Sequence, residues 1–307
     1  ELWPNLIRLA HGRGITVFLV NGRISERSAR RYGIVRVFFA RAINLLRLLC
    51  VQTAEDGRRL TELGTDPSRI RVLGSSKYDI AEPAGEAVVG ARGVLKLLGV
   101  DDGDLLLVGG STWPGEEQIL VDIFKELRTM VPNLRMALVP RHFERAAQVE
   151  AEITRSGLSV ARRSFAGDGA RAKGGDVILV DTTGELMGFY ACADVVFVGK
   201  SLTEHGGQNI IEPAVLGRPV IIGPNMENFA GIVGDFLDAA ALMQVRDAAG
   251  LAEAIRSLVG DPALRPAYGT RAADLVRSKR GSILAAVDAV MREMEGGNAA
   301  TRCPSNP

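Results

Sequence analysis

The segment 194–229, DVVFVGKSLTEHGGQNIIEPAVLGRPVIIGPNMENF, leaves the chain few ways to fold. Residues 195–198 and 219–222 are short, largely apolar runs, the pattern of strands buried on both faces. Between them the backbone must turn and make a helix. Gly206 and Gly207 supply unrestricted backbone, Asn209 is a good N-cap, and Pro213 is tolerable only in a first helical turn. The spacing therefore predicts a short helix from Ile210 through Ile211 and Glu212 to Leu216, ended by Gly217. A glycine turn leading into a helix presents unpaired backbone N–H groups and the positive end of a dipole, which together favour a phosphate. Glu212 would repel a phosphate placed beside it and suits a ribose instead, accepting hydrogen bonds from two hydroxyls while the turn faces the phosphate. The same residues also fit an ordinary βαβ turn in which Glu212 only satisfies the helix terminus.

The alternation recurs along the chain. Strands are expected at 15–20, 48–52 and 69–73, with helices at 2–10, behind Ser25 as N-cap, from about 35, and at 54–63. Residues 81–92, AEPAGEAVVGAR, lack a clean period and read as a connector. Beyond it come strands at 104–108, 135–139, 160–163 and 177–180, with helices at 116–130, 143–156 and 186–191. This predicts an α/β protein of two doubly wound Rossmann-like domains, 1–82 and 83–296, followed by a disordered tail at 297–307. Ligands gather at the carboxyl ends of such strands, so the cleft between the domains is the expected site.

Composition removes some partners. A net charge of +1 gives no whole-chain case for nucleic acid, although Arg27, Arg30, Arg31, Arg36 and Arg41 make one face locally basic. Cys50, Cys192 and Cys303 have no metal-ligand or redox spacing, and neither His142 nor His205 has a second ligand nearby, so no metal and a reducing cytoplasm are expected. The apolar run 43–51 is broken by Arg47 and falls far short of the roughly 20 residues that span a bilayer. The chain opens on Glu1 inside a helical pattern, without a signal sequence, which leads us to expect a longer natural chain upstream.

Four further stretches carry chemistry. GGSTWPGEE, 109–117, follows a strand and opens a helix; it can hold a donor's phosphate or sugar, or Thr112 and Glu116 can simply cap the helix. VPRHFE, 139–144, ends a strand with Pro140 and Arg141, whose guanidinium can pair with a phosphate or fix a base edge. DTTGELMGFY, 181–190, puts Gly184, Glu185 and Leu186 at a strand-to-helix turn whose backbone can contact a nucleobase, or whose carboxylate can cap the helix. Lys77 follows another strand, where its ammonium can serve a leaving phosphate or remain an ordinary surface charge, with Arg23 and Ser25 on the same side.

ELWPN at 1–5, NGRISERS at 21–28, SSKYD at 75–79, GSTWPGEE, LVPRHFER, DTTGEL and VFVGKSLTEHGGQNIIEP resemble the lipid A Kdo transferases, in family order, to about Phe229. That family moves 3-deoxy-D-manno-octulosonic acid (Kdo) from CMP-Kdo to a lipid A precursor. The resemblance implies a glycosyltransferase B fold of two Rossmann-like domains, the first incomplete at its N-terminus, with the last helix packing back on the first. It implies that Pro140, Arg141, Gly184, Glu185, Leu186, Asn209, Ile210, Ile211 and Glu212 hold CMP, that Glu1 and Lys77 stabilise the transition state, and that no cofactor is needed beyond the donor. It also implies peripheral contact with the cytoplasmic face of the bacterial inner membrane. The family's general-base glutamate falls upstream of the match, so impaired turnover of this chain is expected. Trp113 stands where the family usually has His, Gln208 where His is commoner and Tyr78 where Phe is usual. A non-catalytic nucleotide- or lipid-binding module, or a nucleotide-sugar epimerase of the same architecture, are the alternatives.

Overall fold

The computed structural model describes residues 2–79, 85–167 and 174–300; Glu1, the expected 82/83 boundary and the tail beyond 300 lie outside them. The chain divides into two compact units, Glu1–Asp79 with Lys279–Pro307, and Ile80–Ser278.

The first unit runs α1 (Pro4–Gly12), β1 (Phe18–Gly22), α2 (Glu26–Ile34), α3 (Arg36–Ile43), β2 (Leu48–Val51), α4 (Ala54–Glu62) and β3 (Ile70–Val72). Its sheet is parallel, in the order β1-β2-β3. Central β2 is buried along its whole length, which is why LLCV reads as an unbroken apolar run. Leu49 and Val51 pack there with Ile43, Leu46 and Leu60. Ser25 caps α2 by accepting the Ser28 N–H at 3.2 Å, as its spacing predicts.

The second unit carries α5 (Gly85–Leu97), β4 (Leu105–Thr112), α6 (Glu116–Arg128), β5 (Leu134–Pro140), α7 (Ala146–Arg155), β6 (Val160–Arg162), β7 (Val177–Leu179), α8 (Leu186–Cys192) and β8 (Val195–Val198). There follow α9 (Ile211–Val215), β9 (Val220–Ile222), α10 (Ala230–Asp238), β10 (Met243–Gln244), α11 (Ala248–Gly260) and α12 (Leu264–Lys279). Its seven strands are all parallel, in the order β10-β9-β8-β4-β5-β7-β6. Within the expected connector, residues from 85 onward are helical rather than irregular. Gly85 and Gly90 weaken the local signal, but Ala91, Leu95 and Leu98 repeat at helical spacing and are buried, and α5 packs on α8.

The final helix, α13 (Ser282–Ala300), belongs to the first unit and lies against β1, β2 and the 3₁₀ turn Ser76–Asp79. Its start is held by Asp79, whose carboxylate accepts the Gly281 N–H (2.5 Å), the Ser282 hydroxyl (2.6 Å) and the Ile283 N–H (2.9 Å). Burial alone would raise this carboxyl; the Ser282 hydroxyl, the two amides and the charge of Arg280 outweigh it and hold it below the usual range. Asp79→Ala should cost about 1–2 kcal/mol, the size of a lost helix cap. Because the folded pKa is depressed, that stabilisation is present above the unfolded value and fades as the pH falls through the folded one. Urea titrations should therefore show the difference between the two chains shrinking on acidification.

Candidate functional site

A parallel sheet puts every strand's carboxyl end on one edge, and in the second unit the adjacent strands β8, β4, β5 and β7 carry all the loops singled out above. The β4 end differs most from expectation. Gly109 and Gly110 continue the strand instead of turning, since a Cβ would stand 2.7 Å from Leu120 Cδ1 at the first and 2.0 Å from Tyr190 Oη at the second. Glu116 does not pair with Thr112. Its fully buried carboxylate accepts the N–H groups of Trp113 (2.9 Å), Lys200 (2.8 Å), Ser201 (3.0 Å) and Leu202 (3.0 Å), tying the β4 loop to the β8 loop. Glu117, also fully buried, pairs with Arg145 at 2.9 Å. Neither carboxylate is open to a ligand.

The Gly206-Gly207 bend has φ of 108° and 70°, and a Cβ on Gly207 would come within 2.4 Å of Met226 Sδ, so both positions need glycine. The two glycine amides are not unpaired. Gly206 donates to Glu227 Oε2 (2.7 Å) and Gly207 to the Lys200 carbonyl (2.9 Å), bonds that build the bend itself. The next three amides, of Gln208, Asn209 and Ile210, have no acceptor among the described residues. The N-cap is Ile210 rather than the expected Asn209, whose side chain stands one residue earlier, accepts the Ile211 N–H at 3.2 Å and donates from its amide to Glu212 Oε1 at 3.1 Å. The helix starts one residue later than expected, at Ile211, with Pro213 in its first turn. Ile210 and Ile211 are themselves fully buried, so only their backbone can meet a ligand.

Glu212 is half-buried, and burial pushes its carboxyl up, against the Asn209 hydrogen bond and the Arg141 charge. Arg141 follows Pro140 at the end of β5, with its backbone N–H on the Thr112 carbonyl (3.0 Å) and its side chain exposed. Tyr190, fully buried beneath, is raised by burial and by the nearby Glu212. Asn209, Glu212 and Arg141 thus share one electrostatic neighbourhood. Gly184 is exposed at φ 83° after β7. Glu185 is no helix cap: Arg163 holds its carboxylate at 2.8 and 3.0 Å and the Thr182 hydroxyl donates to it, leaving the backbone of Gly184, Glu185 and Leu186 as the available surface.

In the first unit, Asn21 at φ 54° accepts the Ser76 N–H (3.2 Å) and the Gln52 side-chain amide (3.0 Å), joining the ends of the three strands. Lys77 sits exposed on the 3₁₀ turn beside this junction, and its ammonium is pushed down by desolvation and by Arg23. Sequence reasoning missed the Glu116 clamp and gave no role to Lys200, whose φ of 54° no local pattern announces. Among the described residues no group of three or more His, Cys, Asp or Glu is placed to hold a metal, and no helix is long and apolar enough to cross a membrane.

A family model described as 3-deoxy-D-manno-octulosonic-acid transferase (kdotransferase) matches residues 1–80, and one described as glycosyl transferases group 1 matches residues 173–274. The chain is 34% identical over 300 residues to the 3-deoxy-D-manno-octulosonic acid transferase of Bordetella pertussis, covering 94% of this chain and 67% of that one. It is similar to the crystal structure of the C-terminal CMP-Kdo binding domain of WaaA from Acinetobacter baumannii, with a TM-score of 0.57 and 30% identity, covering 62% of this chain and 98% of that one. Anabaena Alr3699/HepE in complex with UDP, at a TM-score of 0.55 and 14% identity over 96% of this chain and 76% of that one, is alike in fold alone.

Proposed function

Because the chain belongs to the 3-deoxy-D-manno-octulosonic acid transferase family, we propose that the carboxyl edge of its seven-stranded sheet holds CMP-Kdo through Pro140, Arg141, Gly184 to Leu186 and Asn209 to Glu212. The protein is a glycosyltransferase that transfers Kdo in lipopolysaccharide biosynthesis, with CMP-Kdo as donor, on a Rossmann-like fold of the glycosyltransferase B type. The observation that carries the assignment is that the charge of Arg141, after β5, acts on Glu212, which Asn209 holds after β8, on the same carboxyl edge of the sheet, within a unit similar to a CMP-Kdo binding domain.

Arg141 takes up the phosphate charge that grows as CMP leaves the ketosidic carbon. The amides of Gln208 to Ile210 add donors to the same phosphate, Glu212 accepts from the ribose hydroxyls, and the backbone at Gly184 to Leu186 meets the base. Lys77 and Glu1 are assigned to stabilising the oxocarbenium-like transition state. The acceptor is a lipid A precursor, reached by peripheral contact at the cytoplasmic face of the inner membrane; exposed Arg27 and Arg30 on α2 suit an anionic lipid surface.

Incubation of the product of the complete reading frame with CMP-Kdo and a lipid A precursor is expected to release CMP only when the acceptor is present. Nucleotide binding without release would mark a binding module, and release indifferent to the acceptor would mark another chemistry.

Glu212 adds a pH test. A ribose needs the ionised carboxylate, and the folded pKa lies above the ordinary 4.5, so CMP affinity should fall as the pH drops through that raised value. Glu212→Gln should remove this part of the profile. For folding the sign is opposite: a raised carboxyl contributes stability below its unfolded pKa and loses it as the pH rises through the folded one. Glu212→Gln should therefore bind CMP more weakly at neutral pH yet unfold at a higher temperature.

A further inference from the structure

The donor contacts assigned above leave out Lys200, Trp113 and His142, which meet where β8, β4 and β5 end. The Lys200 ammonium lies over the Trp113 indole, 4.3 Å from the ring centroid. His142 stands edge-on to the same indole, with centroids 5.3 Å apart and planes at 75°. The Lys200 side chain runs beside the glycine bend, its Cε 3.8 Å from where a Gly206 Cβ would sit. Among the described residues no carboxylate lies within ion-pair distance of it.

The backbone under this ammonium is strained. A φ of 54° suits glycine and disfavours a residue with a Cβ. It persists because the Lys200 N–H is fixed by buried Glu116 at 2.8 Å while the Lys200 carbonyl accepts the Gly207 N–H at 2.9 Å. One residue therefore links the clamp to the bend and aims a cation from that link. The indole desolvates one side of the ammonium and leaves the rest of its N–H groups to an oxyanion.

We propose that Lys200, steadied on Trp113, is the contact for a second oxyanion of the donor, the carboxylate that the octulosonic acid carries next to its phosphate-bearing carbon. This rests on the CMP-Kdo reading. Arg141 and the amides after the bend already serve the phosphate, and the donor differs from CMP in carrying its second negative charge on the sugar carboxylate, away from the phosphate, which in CMP-Kdo is a diester with a single charge. Lys200 discriminates an acidic sugar from a neutral one, and Trp113 positions it.

The test compares titrations of CMP-Kdo, CMP and cytidine into the wild-type chain, Lys200→Met and Lys200→Gly. The glycine variant suits φ 54° and so separates loss of charge from loss of fold. We expect both variants to weaken CMP-Kdo on the order of tenfold or more, the effect of losing a charged hydrogen bond, with CMP changed less than about twofold. Equal weakening of CMP-Kdo and CMP with cytidine unchanged would put Lys200 on the phosphate and overturn the carboxylate assignment. Unchanged CMP-Kdo affinity in either variant, or equal weakening of all three ligands, overturns the proposal. A wild-type chain that binds neither CMP-Kdo nor CMP overturns the donor reading and this assignment with it, whereas a variant that binds both normally sinks only the assignment.

Discussion

Replacing Glu116 by alanine is expected to destabilise the second unit by about 3–5 kcal/mol, because four backbone donors lose their acceptor at once and a buried unsatisfied donor costs about 1–3 kcal/mol. Water reaching some of the four would lessen the loss without removing it. Glu116→Gln should be nearly as damaging despite its matching size, since one acceptor oxygen is replaced by an NH₂ that faces N–H groups. The clamp joins residues up to 86 positions apart, so its failure should also free the β8 loop and weaken CMP binding. Urea unfolding followed beside CMP titration checks this. A loss below about 1 kcal/mol would mean that the four contacts are not held by the carboxylate.

Arg141→Ala should lower CMP affinity on the order of 10- to 100-fold, the range for one charge-assisted contact to phosphate, with little change in thermal stability because the side chain is exposed. Arg141 also holds the Glu212 carboxyl down against burial, so its removal should move that carboxyl further up and shift the pH at which CMP binding fades in the same direction. Arg141→Lys keeps a charge without the planar fork and should fall between the two. Equal affinity in all three chains would place the phosphate elsewhere.

The parallel strands are legible in the sequence because burial on both faces leaves unbroken apolar runs such as Val195–Val198 and Val177–Leu179. The bend is legible because only glycine fits, and Asn209 with Pro213 mark the helix that follows. The β4 end misleads: Gly109 and Gly110 look like a turn, and only the packing of Leu120 and Tyr190 explains why a strand needs them. The start of α5 is hidden by its glycines until Ala91, Leu95 and Leu98 reveal a period. Asp79 and Glu116 look like ordinary acids at helix or turn boundaries, because all three partners of Asp79 lie 202–204 residues away and three of the four partners of Glu116 lie 84–86 away, beyond any local pattern. The chemistry of Lys200 is hidden in the same way, in a backbone angle.

Hydrogen exchange of the chain with and without CMP tests most directly where the nucleotide sits. We expect slowed exchange in the segments around Gly184–Leu186 and Gln208–Glu212, with the first unit's α1 and α4 unchanged. CMP that binds but leaves both segments exchanging as before would contradict the site described above.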